Sequence, residues 1–105
     1  MSVKAIQISD KDNVATLTSE AKENTRVEVL GPGGKIVAVL EARGAIPFGH
    51  KVALKRLGKG EQVLKYGEVI GVATEEIHPG EWVHTHNVVS ARLDTGGEDV
   101  RGVVS

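Results

Sequence analysis

The chain has 105 residues, with 13 Lys and Arg against 14 Asp and Glu, four histidines and no cysteine. That length makes one domain with a modest core, and the balanced charge leaves no footprint for nucleic acid and no polybasic patch for a membrane surface. The lack of cysteine excludes a disulfide framework, a thiolate nucleophile and a Cys-ligated zinc site. Met1–Asp10 lacks the basic head and apolar run of a secretion signal. No apolar stretch approaches the roughly 20 residues that span a bilayer, so a cytoplasmic protein with no membrane partner is the expectation.

Apolar residues come in short runs bounded by turn residues, which predicts strands. In chain order they are Ala5-Ile6-Gln7-Ile8, Val14-Ala15-Thr16-Leu17, Val27-Glu28-Val29-Leu30 and Ile36-Val37-Ala38-Val39-Leu40. Gly31-Pro32-Gly33-Gly34 between the last two reads as a four-residue hairpin loop. Long helical patterns are absent. Many short strands with frequent glycine turns predict a mostly β fold, a small barrel or sandwich with one or two short helical turns. The three aromatic residues, Phe48, Tyr66 and Trp82, are expected to fill its core, with Tyr66 or Trp82 on a partner surface as the alternative.

A weak internal repeat runs through the chain. Leu57-Gly58-Lys59-Gly60-Glu61-Gln62-Val63 aligns with Ile77-His78-Pro79-Gly80-Glu81-Trp82-Val83, and Ala21-Lys22-Glu23-Asn24-Thr25-Arg26-Val27 is a degenerate third copy. Each has an apolar residue, a turn and a valine six positions on. Gly60 and Gly80 are replaced by Asn24 in the third copy, and Gly and Asn are the residues that best tolerate positive φ. A left-handed turn at this position follows.

Three histidines lie beside glycines or an asparagine within Ile46–Asn87: His50, His84 and His86. If Trp82–Val88 is one strand, His84 and His86 share a face about 6–7 Å apart at Cα. That spacing suits two ligands on one metal or two contacts to one carboxylate. Two histidines leave a metal site incomplete; His50, water or another chain would supply the rest. The turn Pro47-Phe48-Gly49 brings His50 to the start of a strand at the surface. His50, Lys51 and Asn87 are candidate substrate contacts; Asn87 could also orient a histidine. His78 before Pro79 reads as an exposed turn residue, and Glu68 as structural. Lys55 and Arg56 read as a solvated charged face.

Gly49-His50-Lys51-Val52-Ala53-Leu54, Lys65-Tyr66-Gly67-Glu68-Val69-Ile70-Gly71 and Gly80-Glu81-Trp82-Val83-His84-Thr85-His86-Asn87 together resemble the small N-terminal module of the altronate/galactarate dehydratase family. Asp12-Asn13-Val14-Ala15 resembles that module's opening segment. The resemblance implies a SAF-like β-clip domain over residues 1–90; the polar run Asp94-Thr95-Gly96-Gly97-Glu98-Asp99, which matches nothing in that module, reads as part of a flexible C-terminal tail over 91–105. It implies the small subunit or N-terminal domain of a metal-dependent hydro-lyase that dehydrates sugar acids to 2-keto-3-deoxy acids. Iron is the divalent metal it implies, with manganese as the second choice. His84 and His86 would act catalytically, and His50, His84 and His86 as metal ligands, in a site shared with a larger catalytic subunit; the isolated chain would be inactive. Assembly with further copies of itself stays open. Two other readings stand beside this one: the small subunit of a sulfolactate sulfo-lyase, which eliminates sulfite from a sulfonated hydroxy acid, and a non-catalytic carbohydrate-binding or assembly module.

Overall fold

The computed structural model describes residues 2–90, and these form nine short strands with no helix among them. The expected tail, 91–105, lies outside the described residues. A six-stranded sheet contains β1 (Ser2–Ile6), β2 (Val14–Leu17), β3 (Arg26–Leu30), β4 (Ile36–Glu41), β5 (Lys51–Ala53) and β8 (Trp82–Val83), in the order β4-β3-β1-β2-β5-β8. A second sheet joins β6 (Gln62–Lys65), β7 (Glu68–Ala73) and β9 (Val88–Ser90), in the order β6-β7-β9. Pairing is antiparallel except between β1 and β3, which run parallel. The mostly β expectation holds. The one or two short helical turns expected are not found among the described residues, where the repeat's turns are single β-turns, and the β3–β4 loop runs from Gly31 to Lys35, one residue longer than expected, closed by the Gly31 N–H to the Lys35 carbonyl at 2.9 Å.

Two apolar clusters lie side by side. One gathers Leu17, Val27, Val29, Ile46 and Val52, and the other Val14, Leu57, Val63, Ile77, Val83 and Val88. Strand β5 divides between them: Val52 belongs to the first cluster and Ala53 to the second. The short β5–β8 pair therefore lies on the seam between the cores.

The turn repeat builds both halves. Ala21, Ile46, Leu57 and Ile77 are buried, as are the valines six positions later, Val27, Val52, Val63 and Val83. Ile46–Val52 is thus a fourth copy that the sequence comparison overlooked. Ala21 bridges to Ile46 and Leu57 to Ile77, so the copies meet in pairs. The fourth residue of each copy has positive φ: Asn24 71°, Gly49 82°, Gly60 92° and Gly80 91°. That conformation at the third position of a β-turn is the type II requirement, which Gly or Asn meets at least cost.

Asp12 and Asn13 staple the lobes together. The Asp12 carboxylate accepts the backbone N–H groups of Ser9 (3.0 Å), Tyr66 (3.1 Å) and Gly67 (2.8 Å). Tyr66 and Gly67 are the two residues of the β6–β7 hairpin turn, both at positive φ, a type I′ turn by its dihedrals. Asn13 accepts the Leu64 N–H at 2.8 Å and donates to the Gln62 carbonyl at 3.0 Å.

The expected aromatic core is not found. Phe48 is 69% exposed and Tyr66 61%, because each sits in a turn whose geometry turns its side chain outward; only Trp82 is half-buried. Valine, leucine and isoleucine fill the two cores. Edge strand β4 also leaves Ile36, Val37 and Val39 exposed.

Candidate functional site

Strand register assembles the site. Lys51 pairs with Val83 and Val52 with Trp82. Continuing that antiparallel register one residue outward sets His50 across from His84, with Trp82 diagonal to His50 on the same face. The rings meet accordingly. His50 and His84 lie 4.8 Å apart between centroids, edge to face, and His50 and Trp82 5.4 Å. His84 stacks on the Trp82 indole at 5.5 Å with an interplanar angle of 11°, while His86 tilts against the same indole at 5.3 Å.

The expected strand over Trp82–Val88 stops at Val83, so His84 and His86 do not share a strand face. The reason is local. Asn87 accepts the His84 N–H at 3.0 Å and donates to the Trp82 carbonyl at 2.9 Å, while the N–H groups of Asn87 and Val88 both turn back to the His84 carbonyl. Residues 84–87 therefore close into a turn. Asn87 is buried and spends both ends of its amide on this backbone. Its amide shapes the turn that carries His84.

Electrostatics set the imidazoles apart. His84 carries a buried ring nitrogen, Nδ1, with no hydrogen-bond partner. Burial lowers its proton affinity, and the charges of His50, Lys51 and His86 lower it further, so the ring is held neutral near pH 7. Lys51 is 3% exposed, and burial, with Lys65 nearby, brings its amine down to about 8. It remains mainly an ammonium at pH 7, a buried positive charge whose field reaches His84. His86 is exposed. Arg43 was not expected: it lines an open groove of 230 Å³ on the His86 side of Trp82, together with Glu75, Glu81 and Asn87. Sequence spacing could not have found it, because the Arg43 N–H reaches this region by bonding the Gly80 carbonyl from a distant loop. His78 lies away from the cluster, 3.9 Å from the exposed Glu76.

The three histidines do not make a metal set by themselves. No group of three or more His, Cys, Asp or Glu is arranged to hold an ion among the described residues. His50 Nδ1 already accepts the Trp82 indole N–H at 3.2 Å. A neutral imidazole has one bare nitrogen, so His50 has no second lone pair to give. A metal here would need donors from outside the described residues. The unpartnered, buried Nδ1 of His84 and the exposed ring of His86 are what this chain has left to offer.

The family described as "Altronate/galactarate dehydratase SAF domain" matches residues 3–91. The alpha subunit of (2R)-sulfolactate sulfo-lyase from Chromohalobacter salexigens is 46% identical over 52 residues, which is 50% of this chain and 55% of that subunit. Altronate dehydratase from Bacillus subtilis is 32% identical over 82 residues, 78% of this chain and 15% of the enzyme. Galactarate dehydratase (L-threo-forming) from Escherichia coli is 38% identical over 86 residues, 80% of this chain and 15% of the enzyme. The chain thus spans about half of the first relative and a small part of the two dehydratases.

Proposed function

Because the chain belongs to the altronate/galactarate dehydratase SAF domain family, we propose that it is the small component of a lyase that eliminates water from sugar acids, lending its imidazole cluster to a site completed by a larger catalytic partner. The observation that carries this reading is the register-built cluster of His50, Trp82 and His84 with an unpartnered, buried His84 nitrogen. A buried polar atom without a partner has a cost, and a ligand or partner group at that point would remove it. The open groove and the few convergent groups supply one wall of a pocket, and pockets form preferentially at interfaces.

Elimination from a hydroxy acid needs a base for the proton beside the carboxylate, positive charge for the enediolate that develops, and help for the departing hydroxide. His84, kept neutral, can take up a proton at a ring nitrogen. The Lys51 ammonium provides positive charge to an acid that approaches the cluster. Trp82 walls the imidazoles off from water on one side. The metal that the family implies would supply Lewis-acid stabilisation of the same charge when bound; His84 and His86 are the donors this chain could add to a set completed by the partner. The exposed apolar strip on β4, Ile36, Val37 and Val39, suits a chain that packs against another protein surface.

The test is reconstitution. The chain alone should turn over no altronate or galactarate, and activity should appear on adding the larger partner recovered with it from its native lysate. His84→Ala should abolish that activity without dissolving the assembly. Full turnover by the purified chain would contradict the reading.

One observation favours a second reading. The sulfo-lyase alpha subunits of Chromohalobacter salexigens and Paracoccus pantotrophus, 46% and 49% identical, exceed the dehydratases in identity, and the matched stretches already make up 55% and 79% of those short chains. Sulfite release from sulfolactate by the same assembly, with no sugar-acid dehydration, would select it. A partner whose turnover is unchanged by His84→Ala would leave the chain a binding or assembly module.

A further inference from the structure

The four turn copies differ at one point, and the difference falls on the site. In each, the N–H of the fifth residue bonds the carbonyl of the second: Thr25 to Lys22, His50 to Pro47, Glu61 to Gly58 and Glu81 to His78, at 2.9 to 3.2 Å. In three copies the fifth side chain also returns to accept the N–H of the second residue. Thr25 Oγ1 takes it from Lys22 (3.1 Å), Glu61 Oε1 from Gly58 (2.7 Å), and Glu81 Oε1 from His78 (2.5 Å). In the Ile46–Val52 copy the second residue is Pro47, which has no N–H. The fifth side chain, His50, is released from that bond. It turns to the sixth residue of another copy, Trp82, and accepts the indole N–H.

An indole N–H can only donate, so the polarity of this bond is fixed: His50 Nδ1 is the bare nitrogen, and the proton of the neutral ring sits on Nε2. No hydrogen bond within the described residues engages that Nε2. We propose that Trp82 is a positioning residue that locks His50 in the Nε2–H tautomer, so that His50 presents a hydrogen-bond donor, and not a metal-binding lone pair, to an acceptor oxygen of the bound acid. Pro47 makes this arrangement possible by removing the competing turn bond. The tautomer is independent of the dehydratase reading; only the identity of the acceptor oxygen rests on it.

Long-range proton–nitrogen NMR of the full chain with labelled histidine tests this without substrate or partner, at a pH about two units above the usual histidine value. His50 should show a protonated Nε2 and a bare Nδ1. In Trp82→Phe, which keeps a ring but loses the donor, His50 should redistribute between tautomers while the backbone amide spectrum stays folded. Zinc ion alone, titrated into the wild-type chain, should leave the His50 Nε2 proton in place. A wild-type His50 protonated on Nδ1 would overturn the proposal, and that measurement needs no variant to fold. An unchanged tautomer in folded Trp82→Phe, or zinc bound at His50 Nε2, would overturn it as well. None of these outcomes depends on lyase activity, so the tautomer and the proposed reaction can fail separately.

Discussion

His50 and Trp82, 32 residues apart in the chain, are joined by an indole N–H donated to an imidazole nitrogen at 3.2 Å. That bond links two turn copies across the β5–β8 pair. If it gives His50 a donor nitrogen, side chains that keep a donor there should keep part of the function. His50→Gln, whose terminal amide can donate from a similar reach, should retain more affinity for a hydroxy acid in the assembled enzyme than His50→Ala, by roughly 10-fold. Equal loss in both, measured as KM in the reconstituted assembly, would speak against a donor role.

His84 links the site to pH. Its folded-state proton affinity is depressed by burial and by the charges of His50, Lys51 and His86, so the unfolded chain binds the proton more readily. The contribution of His84 to stability is therefore intact above the usual histidine value and is lost as pH falls below it. His84→Phe, which keeps a ring against Trp82, should flatten that acid limb in denaturant titrations run downward from the usual histidine value. An identical limb in the variant would locate the dependence elsewhere.

Lys51 works in the opposite direction from a stabilising ion pair. Its amine falls from 10.5 to about 8, so the unfolded chain holds the extra proton between those values and stability rises as pH climbs through that window. Below it, both states are charged and the folded state bears the full cost of the buried ammonium. Lys51→Met should raise stability by about 2 kcal/mol at pH 7, with the gain disappearing towards pH 10.5. The same variant should bind anionic ligands more weakly in the assembly.

Asp12 holds the Tyr66–Gly67 hairpin from the other lobe through two backbone N–H bonds and accepts a third from Ser9 in its own loop. Asp12→Ala leaves all three donors without their acceptor. A loss of about 2–4 kcal/mol is expected in chemical denaturation, with accelerated amide exchange at residues 64–68 as the local signature. Retained protection there would show that the hairpin stands without its clamp.

Gly80 has a steeper requirement. Its φ is +91°, and a Cβ would fall 2.1 Å from the Glu41 carbonyl oxygen. Gly80→Ala should cost more than about 3 kcal/mol and should disturb Trp82 two residues on, read as altered tryptophan fluorescence. Gly60, at φ +92° with open space around its Cβ position, should tolerate alanine far better; equal losses at the two glycines would assign the effect to φ alone.

Period-two runs and glycine turns were enough to give the β class, strands two to four, the end of the first (β1 starts three residues before the Ala5–Ile8 run and stops at Ile6) and the left-handed turn residues, because these follow from local backbone preferences. The turn repeat was visible in three copies. The fourth, Ile46–Val52, lacked the polar residue pattern of the others because Pro47 and His50 had changed roles, and its identity emerged only from burial and φ. The histidines were singled out by type and by the family's motifs. Their arrangement was not local information: it depends on the β5–β8 register, which joins segments about 30 residues apart. The His84–His86 pair looked like one strand face, and Asn87 turned it into a closed turn by taking up the backbone bonds a strand would have used. Whether an imidazole nitrogen is free to bind a metal, accept a proton or donate one depends on what touches its other nitrogen. Sequence by itself determined which side chains could do this chemistry; the Trp82 bond to His50, the burial of His84 Nδ1 and the turn closed by Asn87 decided which ring nitrogen each presents, because a hydrogen bond uses up one lone pair or one proton of a specific atom.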